Sequence, residues 1–159
     1  MVPAGDVTIH LLERESMVPG EGQEVFDFFK DPRNLSELTP PWLNFQVRES
    51  SDPSVRNGTR IKYRIRWLGL PMRWESVIEE YVEGEHFADR MLVGPYASWL
   101  HRHLFSPVTG GVLVEDRVEY TLPLGWAGAL AHRVLVRRQL EAIFDYRALA
   151  LARRFGGRG

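Results

Sequence analysis

From residue 43 to residue 122 the chain repeats one pattern: short stretches alternate apolar and polar side chains, and each ends at a Gly, Pro or Asn-Gly break. Alternation with period two puts successive side chains on opposite faces, so each stretch reads as a strand with one apolar and one polar face. Ile61, Tyr63, Ile65 and Trp67 alternate with Lys62, Arg64 and Arg66. Met72, Trp74, Ser76 and Ile78 alternate with Arg73, Glu75, Val77 and Glu79. Further strands are expected over 43–50, 87–93, 97–106 and 112–122, with turns at Asn57-Gly58, Leu68–Pro71, Gly94-Pro95 and Pro107–Gly111. After Pro123 and Gly125 the period becomes helical until about Phe155, with Val136, Leu140, Ile143, Phe144 and Leu151 as the apolar stripe.

The first forty residues read as a strand over 7–17, a turn at Val18-Pro19-Gly20 and a short helix over 21–30 carrying Val25, Phe28 and Phe29. Asp31-Pro32 starts a second helix, with Asp as N-cap and Pro at the first helical position. That helix must stop before Pro40-Pro41, because a residue preceding Pro avoids the α region. A sheet with one polar face has to bury the other, and the long C-terminal helix is the large element able to cover it. The expected architecture is α+β: a curved antiparallel sheet of six to seven strands wrapped around the C-terminal helix, with two short helices after the first strand. No repeat or linker divides residues 1–159, so one domain is expected. A wedge-shaped cavity should lie between sheet and helix.

Composition narrows the function classes. The 44% hydrophobic and 26% charged content suits a globular chain, and 159 residues can bury a sizeable core. Charge nearly cancels, 20 Lys+Arg against 21 Asp+Glu, which does not suit a dedicated nucleic-acid binder. With no Cys, thiolate catalysis, disulfides and Cys-ligated metals are excluded. Met1–Asp6 lacks the basic and apolar regions of a signal peptide, and the uncharged run Thr121–His132 is too short to span a bilayer. A soluble, cytoplasmic protein is expected. Residues 126–159 hold seven Arg against Glu141 and Asp145, a net +5 that should form a solvated outer face of the helix, or a weak contact with an anionic surface or acidic partner.

Trp99, His101, His103 and Phe105 share one face of a strand by their i, i+2 spacing. On the next strand Val112, Val114, Asp116, Val118 and Tyr120 share a face, and its apolar character carries Asp116 inward. A four-residue loop over Pro107–Gly110 would set Ser106 opposite Gly111 and His101 opposite Asp116. A two-residue slip would bring His103 or Trp99 there instead. A buried carboxylate needs a partner, which an imidazole supplies. The patch either orients a ligand carbonyl or hydroxyl, or is a structural His–Asp pair. With Tyr63, Trp67, Trp74, Trp99, Phe105 and Tyr120 on inward faces, the expected ligand-binding set is those six aromatics plus His101, His103 and Asp116. Gly94-Pro95 and Leu124-Gly125 are expected loop positions at the rim. His-x-His with Asp116 could ligate a metal, but no further residue has ligand spacing, so neither metal nor cofactor is expected. General acid–base chemistry by His101 or His103 with Asp116 is the alternative, an enzymatic one. Gly-x-Ser-x-Gly, phosphate-loop and dinucleotide motifs do not occur.

Three stretches resemble one superfamily: Gly94-Pro-Tyr-Ala-Ser-Trp-Leu-His-Arg-His-Leu-Phe105, Asp116-Arg-Val-Glu-Tyr-Thr-Leu-Pro-Leu-Gly125 and Ile143-Phe-Asp-Tyr-Arg147, with Leu38-Thr-Pro40 as a fourth, shorter match. With the order of elements, these residues look like the START, polyketide-cyclase and pollen-allergen superfamily called SRPBCC, and within it the ligand-binding branch. The resemblance covers nearly the whole chain. It implies a helix-grip fold with a hydrophobic ligand cavity between sheet and helix. The function it points to is binding or carriage of a lipid, fatty acyl or polyketide-like molecule. A cyclase or dehydratase using His101/His103 and Asp116, and a module docking through the basic helix, are the alternatives.

Overall fold

The computed structural model describes residues 8–123, 130 and 132–156. Strands β1 (His10–Val18), β2 (Gln46–Ser50), β3 (Arg60–Trp67), β4 (Leu70–Val82), β5 (His86–Val93), β6 (Ser98–Val108) and β7 (Gly111–Thr121) form one antiparallel sheet. Its order is β1-β7-β6-β5-β4-β3-β2, a meander from β2 to β7 with β1 added against the last strand. Helix α1 (Gly22–Phe29) and a 3₁₀ turn over Pro32–Ser36 follow β1. The chain closes with a π-helical stretch, His132–Val136, running into α2 (Arg137–Phe155). The first residue expected in β1, the Leu124-Gly125 rim position and the expected start of the last helix lie outside the described residues, as does Arg158.

Local chemistry moved three boundaries. After Asp31 the chain makes only the 3₁₀ turn; Asp31 Oδ1 accepts the Arg33 N–H at 2.9 Å, as an N-cap should. A second 3₁₀ turn, Pro41–Leu43, then delays β2 to Gln46, with Asn44 left-handed at φ 47°. Leu68 and Gly69 both have positive φ, 50° and 82°, so β3 and β4 join through two residues rather than the expected four.

The β6–β7 turn is also tighter than expected. Val108 pairs with Gly111, so only Thr109 and Gly110 turn, and Pro107 stays in the strand opposite Val112. Pro107 is tolerated because the N–H of Phe105, two residues earlier, donates to the carbonyl of Glu85, the residue just before β5 begins. Pro107's missing N–H therefore falls on the same side, beyond the N-terminal end of β5. The register correction sets His103, not His101, opposite Asp116; His101 faces Val118 and Trp99 faces Tyr120. Gly111 is required for closeness: a Cβ there would lie 2.1 Å from the Val18 carbonyl oxygen.

The core has two parts. Val25, Phe26, Phe28 and Phe29 of α1 pack with Phe87, Phe105, Leu151 and Phe155 at one end. Trp74, Tyr96, Trp99, Tyr120, Leu140 and Phe144 fill the other. Of the expected stripe, Val136 at the end of the π-helical stretch and Leu140, Phe144 and Leu151 on α2 are buried, and Ile143 is half-buried. Arg147 lies on the same stripe and is only 8% exposed, which corrects its placement on a solvated basic face.

Candidate functional site

Between the sheet and α2 lies a cavity of about 170 Å³. Its wall includes six of the nine expected residues: Tyr63, Trp67, Trp74, Trp99, His101 and His103. Ser76, Asp89, Tyr96, Gln139 and Arg147 line it too. Two of the three indoles are satisfied within the wall. Trp74 Nε1 donates to Ser76 Oγ at 2.8 Å, and Trp67 Nε1 donates to the Tyr96 hydroxyl at 3.3 Å. Burial pushes the Tyr63 and Tyr96 phenols up, so both remain protonated.

The other three expected residues sit outside the wall. Phe105 packs among Phe26, Phe29 and Phe87 in the first part of the core. Tyr120 stands behind Trp99 and Tyr96, and its hydroxyl meets His132 Nε2 at 2.6 Å. Asp116 lies behind the two histidine rings. It is 3% exposed and serves them rather than the cavity.

A buried polar cluster closes one end of the cavity. His101 Nε2 donates to Asp116 Oδ1 at 2.8 Å, and Arg147 Nη2 donates to the same oxygen at 3.1 Å. His103 Nε2 is 2.9 Å from Asp89 Oδ2, and its Nδ1 is 3.3 Å from Asp116 Oδ1. Arg147 Nη2 is 3.4 Å from that Nδ1, close enough to donate when it is unprotonated. The imidazoles stack at 3.8 Å between centroids, and Phe87 stacks on the far side of His103 at 4.6 Å. The Arg147 guanidinium lies 5.0 Å over the Phe29 ring, while its Nε is buried without a hydrogen-bond partner among the described residues.

Burial disfavours charge throughout this cluster, so the partners decide which groups keep it. Desolvation raises Asp116, but the Arg147 guanidinium and the histidine hydrogen bonds outweigh it and hold the carboxyl well below the usual range. Asp89 is likewise held low against burial by His103. Burial also opposes charge on His103, yet hydrogen bonds to Asp116 and Asp89 push its pKa up. His101 is pushed down by burial and by the charge of His103. Within the cluster, proton affinity is thus raised on His103 and lowered on His101, Asp89 and Asp116.

Asp89 and Arg147 were missed in the sequence. Phe87, Asp89 and Met91 alternate on a strand whose inward face was not traced. Arg147 stands three residues after Phe144 and four before Leu151, the spacing of the buried stripe.

A curved antiparallel sheet gripping a C-terminal helix around a cavity defines the helix-grip class of ligand-binding fold. The chain belongs to the polyketide cyclase/dehydrase and lipid transport family, whose model matches residues 10–156, within the SRPBCC superfamily. Protein CV1439 from Chromobacterium violaceum superposes with a TM-score of 0.69 at 15% identity, covering 92% of this chain and 97% of that one. The di-domain ARO/CYC StfQ of the steffimycin biosynthetic pathway gives 0.67 at 18% identity, over 92% of this chain and 50% of its own. Major latex-like protein 151 from Panax ginseng gives 0.66 at 12% identity, over 92% of this chain and 97% of that one. At these identities the likeness is one of fold. No curated protein sequence matches the chain. Among the described residues, no helix is long and apolar enough to cross a membrane.

Proposed function

We propose that this protein binds and carries a hydrophobic small molecule, lipid-like or polyketide-like, in the cavity between the sheet and α2. The carrying observation is the form of that cavity: an aromatic wall of Tyr63, Trp67, Trp74, Tyr96 and Trp99 ending in Asp89, His101 and His103. Ligand sites are mostly apolar with a few polar groups that set orientation. Family membership and the ARO/CYC neighbour support the same class of ligand. Native mass spectrometry of the purified protein, followed by solvent extraction, tests the reading. A bound species, or a complex formed on adding an apolar ligand, supports it; a chain that takes up none of a panel of lipids and polycyclic aromatics overturns it.

A second reading is a cyclase or dehydratase. It is favoured by the ring nitrogen of a neutral His101 beside Asp89 at the wall, a general base within reach of a bound ligand. In that reading Asp116 orients the imidazole and does not touch substrate. Turnover of a poly-β-ketone substrate that collapses in His101→Ala while ligand binding persists would establish it.

A further inference from the structure

Two hydrogen-bond acceptors confront one another at the polar end of the cavity. Asp116 as a carboxylate can only accept, so the 2.8 Å contact fixes the His101 proton on Nε2. Burial keeps this ring neutral, and Nδ1 is left as a lone pair. Nδ1 faces Asp89 Oδ2 at 3.7 Å, beyond hydrogen-bond range. That oxygen already takes the proton of His103 Nε2, and neither Asp89 Oδ1 nor His101 Nδ1 has a hydrogen bond among the described residues. Both side chains line the cavity. Two facing acceptors in a partly dry site need a donor.

We propose that the cavity selects ligands headed by an uncharged hydroxyl, phenolic or enolic, which donates its one proton to His101 Nδ1 or to Asp89, and that it rejects carboxylate-headed ligands such as free fatty acids. The inference rests on the cavity being the ligand site and narrows what enters it. Arg147 is committed to Asp116, and His103 already spans Asp116 and Asp89, so a carboxylate head would place a third anion beside the two carboxylates with no free cation to meet it. A hydroxyl supplies the missing donor without adding a charge.

Three probes of one shape test this: naphthalene, 2-naphthol and 2-naphthoate, titrated calorimetrically into the wild-type protein at neutral pH, where only the last is charged. 2-Naphthol should bind about tenfold tighter than naphthalene, the gain of one added hydrogen bond, and 2-naphthoate should bind weakest. Asp89→Asn removes the charge and offers an N–H, so it should narrow the gap between 2-naphthol and 2-naphthoate. Wild-type protein that binds 2-naphthoate as tightly as 2-naphthol, or 2-naphthol no better than naphthalene, overturns the inference while leaving the cavity reading intact. Failure of all three probes to bind overturns the inference, and the cavity reading falls with it only if the panel of lipids and polycyclic aromatics fails too. Zinc alone provides the last arm, since Asp89, His101 and His103 bring their ligand atoms within 4.8 Å of one another. Stoichiometric zinc that displaces 2-naphthol would make a cation the natural occupant and overturn the hydroxyl assignment.

Discussion

Arg147 on α2 and Asp116 on β7 meet 3.1 Å apart in the interior, each less than one-tenth exposed. A buried charge whose partner is removed is left uncompensated, whereas removing both charges relieves both desolvation penalties. Arg147→Met should therefore lower stability by about 3–5 kcal/mol. Adding Asp116→Asn should restore part of the loss. Urea unfolding of both single variants and the double variant measures the coupling; strictly additive losses would contradict the pairing.

Trp74 and Ser76 make a smaller version of the same argument. Ser76 Oγ accepts the buried indole N–H at 2.8 Å and lies 3.2 Å from the Tyr63 hydroxyl. Ser76→Ala should cost about 1–3 kcal/mol, because the indole keeps its burial and loses its acceptor. A shift in the urea midpoint with an unchanged slope is the expected readout.

Gly111 should not accept even Ala. The added methyl would collide with the Val18 carbonyl oxygen at 2.1 Å, a backbone atom that cannot swing aside. Gly111→Ala should destabilise by about 1–3 kcal/mol and loosen β1 from β7. Faster amide exchange across His10–Val18 would report the loosening, and protection equal to wild type would refute it.

His10 and His132 stack at 3.7 Å, and the Tyr120 hydroxyl hydrogen-bonds His132 Nε2 at 2.6 Å. Burial lowers both histidines, with Arg137 adding to the effect on His10 and the neighbouring His10 adding to it on His132. A lowered folded-state pKa means the unfolded chain binds protons first as pH falls below the ordinary value of 6.5. Their contribution is thus whole above pH 6.5 and is lost as pH falls toward their folded values. Melting temperature should drop more steeply below pH 6.5 in wild type than in His10→Phe, which keeps the stack but cannot charge. Parallel profiles would count against the pair as the cause.

The strands were legible because each face has its own solvent: Ile61 through Trp67 alternates cleanly, and the structure pairs those residues with β4 as an antiparallel sheet should. Turn lengths were harder. Pro107 looked like a strand breaker, but whether Pro ends a strand depends on where the neighbouring strand stops, and that is not local information. The two-residue error there moved the partner of Asp116 from His101 to His103, yet Asp116 kept its face and still bonds both rings. Arg147 was hidden by its own chemistry. Six other arginines in the same terminal segment suggested a solvated face, and only an anion buried across the fold makes one of them an interior residue.

The pairing of His10 with Tyr120 puts the first strand of the sheet against the last, more than a hundred positions away. During synthesis β1 leaves the ribosome long before β7, its partner in the sheet, exists, so its edge must wait unpaired while β2 to β6 assemble. Such distant pairing slows folding, because a long loop is closed before the contacts that compensate for it form. The histidines on β6, Asp116 on β7 and Arg147 on α2 also come together only in the last third of the chain. The polar end of the cavity is therefore completed near the close of folding, and a truncated or nascent chain would expose its aromatic wall before that end is closed.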